Sequence, residues 1–189
     1  MVGQLENETP LFRFVGSDQA VEHSIAGRLW LRTFSHFAKL EDPERQDDRE
    51  GISSGQIKEG SWIDWIDEKN MVSPQYILSF TECESPPKKW GHRRLKLASI
   101  QDFKQRIRES MSRCTVIFEK VRYSDDVGYQ RHPAGLEMWE RASLNKQTLY
   151  APEREWRLIV VLPGLRITNC TLKIDVGVLS GMLNFWPGP

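Results

Sequence analysis

The chain has little cysteine, no long apolar run and no excess of either charge. Its 189 residues include only Cys83, Cys114 and Cys170, far apart and without a C-x-x-C pair. That argues against a disulfide framework and for three small buried side chains in a reducing compartment. No segment approaches the roughly 18 consecutive apolar residues of a membrane-spanning helix. The first ten residues carry neither the basic nor the apolar region of an export signal, so a cytoplasmic chain with no membrane partner is expected. Lys and Arg total 26 and are balanced by 26 Asp and Glu, which leaves no global field to attract nucleic acid or an anionic surface. The four histidines, His23, His36, His92 and His132, lack a compact ligand spacing. Asp42, Glu44, Asp47 and Asp48 lack the spacing and glycine of a calcium loop, so no metal site is expected. Nucleophilic catalysis has no signature of the G-x-S-x-G kind.

What is present is aromatic. Hydrophobic residues make up only 39% of the chain, but seven Trp and eight Phe supply large burial units, enough for one core in a single domain over residues 1–189. The stretch from 41 to 60 is polar and rich in Pro, Gly and Ser, and it reads as a mobile loop or lid. Leu11 to Val15 reads as a first strand, interrupted by Arg13. Gly16, Ser17 and Asp18 turn the chain and cap a helix closed by Gly27, and Leu29 to Phe34 alternates as a second strand. Trp62, Ile63, Trp65 and Ile66 suit a short helix with an apolar stripe. Gln75 to Glu82 is a third strand, with Ser79 and Thr81 on one face and Leu78 and Phe80 on the other.

A capping box from Ser99 to Asp102 opens an amphipathic helix ending near Arg113. Cys114 to Tyr123 is the next strand, and a helix is expected around Leu136 to Asn145. Arg166 to Ile174 alternates clearly and follows Leu162, Pro163 and Gly164, which predicts a closing hairpin. Runs of strand with few helices and no repeated βαβ rhythm argue for an α+β class with mixed, mainly antiparallel strands.

The densest chemistry lies in the run from Tyr150 to Val161. Read as a strand, it puts Glu153, Glu155 and Arg157 on one side and Arg154, Trp156, Leu158 and Val160 on the other. Two neighbouring carboxylates repel unless a cation or a reaction uses them, so this E-x-E pair is a candidate for general-base or cation-stabilising chemistry. The plainer reading is a solvent-facing strand whose carboxylates pair with Arg154 and Arg157. Lys88, Lys89, Trp90, His92, Arg93 and Arg94 mix cations with an aromatic, but the cluster stands alone and suits a solvated loop.

Arg13, Ser79 and Glu155 each interrupt an otherwise apolar strand. In order and setting they resemble the R-S-E arrangement of ADP-ribosyltransferases. The chain also resembles an uncharacterised bacterial family with an Asn-Asp-Pro loop, here Glu41, Asp42 and Pro43, a Phe-Ser strand, and a closing Glu-x-Glu-Trp-Arg, here Glu153 to Arg157. The likeness runs over about residues 11 to 162. Glu41 replaces the family's Asn, and Ser79, Phe80 and Thr81 only approximate the Ser-Thr-Ser run of the R-S-E enzymes.

The resemblance implies an ADP-ribosyltransferase-like split sheet with a few flanking helices, NAD as cofactor, and transfer of ADP-ribose to a macromolecular acceptor, protein or nucleic acid. It implies a bacterial toxin or phage-defence effector with an antitoxin or immunity protein as a further partner. It casts Glu155 and Glu153 as catalytic, and Arg13, Ser79, Thr81, Tyr76 and Tyr150 as cofactor-binding. A non-catalytic module on the same fold and an NAD glycohydrolase are the alternatives.

Overall fold

The computed structural model of the chain describes residues 9–33, 36, 53–56, 62–66, 75–85, 90–125, 143–162 and 170–187. It is α+β, with mostly antiparallel strands and few helices. The strands are β1 (Leu11–Val15), β2 (Arg28–Arg32), β3 (Ser53–Gln56), β4 (Trp62–Ile66), β5 (Gln75–Thr81), β6 (Arg93–Leu97), β7 (Thr115–Lys120), β8 (Arg122–Tyr123), β9 (Asn145–Lys146), β10 (Glu155–Val161), β11 (Thr171–Asp175) and β12 (Leu183–Phe185). Among the described residues, the α-helices α1 (Asp18–Ile25) and α2 (Ile100–Ser110) join them. Both start where a serine accepts a backbone N–H of the first turn: Ser17 from Ala20 and Ser99 from Asp102, each at 3.2 Å, as their capping sequences require. No helix among the described residues is long and apolar enough to cross a membrane.

Eight strands form one forked sheet. β5 is the stem. Along one edge it pairs with β10 over its whole length, from Glu155 opposite Thr81 to Val161 opposite Gln75, and β10 in turn pairs with β7. The other edge is shared: β1 meets it at Phe12 opposite Thr81, and β2 meets it at Arg32 opposite Ile77. Between these two points β1 leans away to pair with β6, and β2 leans away to pair with β11. Ser79 lies at the opening of the fork.

The two faces of the stem differ. Tyr76, Leu78 and Phe80 of β5, Leu158 and Val160 of β10, and Val116 and Phe118 of β7 point into the main core. There Phe103 and Ile107 of α2, both fully buried, close over them, and Phe80, Phe103 and Phe118 lie 5.3–5.8 Å apart. The opposite face begins apolar, with Ile77, Ile159, Val161 and Leu144, and becomes polar toward Ser79 and Glu155.

Three expectations change. Residues 62–66 form a strand paired with β3 rather than a helix; apolar side chains at 62, 63, 65 and 66 fit either period, and a partner edge decides between them. β11 does not form a hairpin with β10 but pairs with β2. That edge is three strand spacings of about 4.8 Å away, within reach of residues 162–170 at about 3.3 Å per extended residue. The strand expected from Cys114 to Tyr123 breaks at Val121, whose N–H leaves β7 to donate to the Glu155 carbonyl at 2.9 Å. Ser143 and Leu144 are helical, the end of the helix expected around Leu136 to Asn145, and Asn145 then opens β9, paired in parallel with β8. Most of that expected helix, and all of the 41–60 loop except β3, lie outside the described residues.

Candidate functional site at the sheet fork

Glu155 is the first residue of β10, and Glu153 is the last of a 3-10 turn, Thr148–Glu153. The pair is therefore not the one-face strand pair that alternation predicted. Arg154 between them adopts a left-handed backbone, φ 44° and ψ 49°, which few non-glycine residues do. The bend, rather than strand alternation, turns both carboxylates inward. Glu153 and Glu155 are 3% and 2% exposed, so the solvent-facing reading of the pair is also corrected.

Buried charge must be matched, and here it is. Lys146 of β9 donates to Glu153 Oε2 at 2.7 Å and to Glu155 Oε2 at 3.2 Å. Arg157, two residues along β10 on the same face, donates from Nε to Glu155 Oε1 at 2.9 Å and from Nη2 to Oε2 at 3.1 Å. Its Nη1 is fixed on the Ser143 carbonyl at 2.8 Å. Ser79, opposite Arg157 in the ladder, donates its hydroxyl to Glu155 Oε1 at 2.6 Å. The Glu155 N–H donates to the Tyr123 hydroxyl at 2.7 Å.

Burial alone would push the Glu155 carboxyl up. The charges of Arg157 and Lys146, with hydrogen bonds from Arg157 and Ser79, outweigh it and hold the group well below the usual carboxylate range. Tyr123 moves the other way, pushed up to about 12, mainly by burial.

Arg13 reaches the same place from β1. Its Nη1 donates to the Ser79 carbonyl at 3.3 Å, while its Nε is buried with no hydrogen-bond partner. Burial lowers the group to about 10, so the guanidinium keeps its charge at neutral pH. Asp18, a conceivable partner for Arg13, is instead held by Arg93 at 2.6 Å and 3.1 Å. A cleft of about 140 Å³ opens beside Arg13, lined also by Ser17, Gln19, His23, Arg28 and Trp30. A larger one, about 440 Å³, runs along β7 past Lys104, Arg108, Lys120 and Arg122. Its residues take no part in the carboxylate cluster.

The fork thus brings together Arg13, Ser79, Glu155 and Glu153. Of the other expected residues, Tyr150 joins them: its ring lies 4.7 Å from Lys146 Nζ. Thr81 shares the face but is fully buried; it donates to the Glu153 carbonyl at 2.5 Å and accepts from Cys83 N–H at 2.9 Å. That ties the turn to the sheet. Tyr76 points the opposite way, into the main core, because its place on β5 is odd with respect to Ser79. Trp156 packs on Phe118 at 5.9 Å and donates to Glu82 at 2.9 Å. Arg94 of the basic segment is spent on the Glu84 and Pro187 carbonyls.

Sequence reading placed Arg157 beside the carboxylates but missed Lys146, Tyr123 and Ser143. No local signal marks Lys146. Only the pairing of two-residue strands brings it over the turn. The chain matches no protein-family model, no curated protein and no solved structure.

Proposed function

We propose that the fork is an NAD site and that the chain is an ADP-ribosyltransferase-like domain, transferring ADP-ribose to a protein or nucleic-acid acceptor. One observation carries the reading: Arg13, Ser79 and Glu155, far apart in sequence, form a continuous hydrogen-bonded line at the opening of the sheet. An unpartnered, buried guanidinium nitrogen beside a cleft fits the oxygens of a pyrophosphate or ribose. Glu155, held ionised, suits the oxocarbenium-like charge that develops when a glycosidic bond to nicotinamide breaks. Ser79 aims that carboxylate, and Glu153 stands next to it on the side of the acceptor. A role as a bacterial toxin or phage-defence effector, countered by an immunity protein, extends this reading by resemblance.

A second reading has its own support. Both Glu155 oxygens are engaged and the residue is almost wholly buried, as in a structural ion cluster on a non-catalytic binding module. NAD consumption, followed by chromatography with and without candidate acceptors, separates the two. The enzyme reading expects nicotinamide release that Glu155→Gln abolishes and Glu153→Gln retains as slow hydrolysis without transfer. Equal release in wild type and Glu155→Gln would remove the catalytic role of Glu155, and no release under any condition would leave the binding module.

A further inference from the structure

Two carboxylates stand at the proposed site, and one side chain touches both. Lys146 is 9% exposed at its side chain, with Glu153 at 4% and Glu155 at 3%. The Tyr150 ring of the 3-10 turn lies 4.7 Å from its Nζ, and the Glu155 it shares is held in turn by Tyr123 of β8 at its N–H and by Arg157 of β10 and Ser79 of β5 at its carboxylate. Arg157 holds both Glu155 oxygens and the Ser143 carbonyl. Lys146 bridges the two carboxylates at 2.7 Å and 3.2 Å, and removing its charge takes from each buried carboxylate an adjacent opposite charge, which disfavours the ionised form.

We propose that Lys146 is a positioning residue of this site: its ammonium lets the two carboxylates lie side by side and aims the Glu155 oxygen that a substrate would meet. The geometry is asymmetric. Glu155 Oε1 is held by Ser79 and Arg157 Nε, whereas Oε2 is shared between Arg157 Nη2 and Lys146. Arg157 is planar and anchored at three nitrogens. Lys146 is a point charge on a flexible stem, carried by a two-residue strand whose ladder is two pairs long. Of the two cations, it is the one that an incoming ligand oxygen can displace while Arg157 keeps Glu155 ionised. Lys146 therefore adds its charge to that of Arg157 in holding the carboxylate ionised and guards Oε2 until a ligand arrives. The catalytic half of this proposal rests on the NAD reading; the electrostatic half does not.

The test follows the side-chain carboxyl carbon of Glu155 by NMR in protein labelled at glutamate, titrated from neutral pH downward. In wild type the Glu155 signal stays at its ionised position through the ordinary carboxylate range. In Lys146→Met it titrates higher, by about one pH unit or more, as expected for loss of an adjacent opposite charge. Lys146→Gln, which keeps hydrogen-bonding capacity without the charge, moves it in the same direction and serves if the Met variant does not fold. Lys146→Arg restores the wild-type position. If NAD is consumed, the acid limb of its pH profile moves up by the same amount in Lys146→Gln and returns in Lys146→Arg. An unchanged Glu155 titration in folded Lys146→Met or Lys146→Gln overturns the proposal. Absence of NAD consumption by wild type overturns only the NAD reading, because the carboxylate titration still reports on Lys146.

Discussion

The two faces of β5 are built from the same seven residues but held by different forces. On one, Tyr76, Leu78 and Phe80 belong to the hydrophobic core with residues of β10, β7 and α2. On the other, Ser79 and Thr81 meet charged and polar groups joined by directed hydrogen bonds. The first face tolerates exchange of shape for shape and is indifferent to pH. The second has no such freedom: Glu155 is held by Arg157, Lys146 and Ser79, and removing a partner leaves its charge to the low dielectric of the interior. A sheet that needed only to fold would gain nothing from the second face, since well-packed apolar residues stabilise at least as well as a buried ion pair.

Variants on each face sharpen this contrast. Phe80→Ala removes a ring packed against Phe103 and Phe118 and is expected to cost about 3–5 kcal/mol. Urea denaturation at pH 7 and at pH 4 should give the same loss. Arg157→Met strips Glu155 of its two-point partner and is expected to cost about 3 kcal/mol or more at pH 7. In contrast to Phe80→Ala, that loss should shrink as the solution is acidified and Glu155 takes up a proton. A penalty for Arg157→Met that does not depend on pH would place its effect in packing rather than charge.

Wild type and Glu155→Gln should also diverge with pH. Glu155 lies below its unfolded-state value, so its stabilising contribution is complete above the ordinary carboxylate range and is lost as pH falls through its lowered value. Wild-type stability should therefore decline on acidification more steeply than that of Glu155→Gln, as read from thermal midpoints between pH 7 and pH 3. Parallel curves would mean that Glu155 is not held down by its neighbours. Ser79→Ala loses one hydrogen bond to a charged acceptor and should cost about 1.5–3 kcal/mol. Ser99→Ala, remote from the cluster, should lose a helix cap worth about 1 kcal/mol and leave every property of the fork unchanged.

Much of this was legible in the order of residues. The alternation in Gln75–Thr81 put Ser79 and Leu78 on opposite faces, the serine caps located both helices, and the polar interruptions at 13, 79 and 155 named three residues that the fold brings together. What escaped is non-local. Lys146 sits in a polar stretch with nothing to distinguish it, and its role exists only because β9 lies over the turn at 148–153. The strand partner of residues 62–66 and the edge joined by β11 are likewise settled by which partner edge is free, not by the segments' own periodicity. Glu153 was placed correctly beside Glu155 for the wrong reason: strand alternation predicted it, and a left-handed residue at Arg154 achieves it.

The account stands or falls on the fork being where a ligand goes. Titrating ¹⁵N-labelled protein with NAD to millimolar concentration, and following the amide spectrum, tests that directly. The account predicts saturable shifts centred on Arg13, Ser79, Lys146 and Glu155, weakened in Arg13→Ala, with amides of the α2 core face at Phe103 and Ile107 unmoved. A spectrum unchanged by NAD, or shifts centred away from the fork, would contradict it.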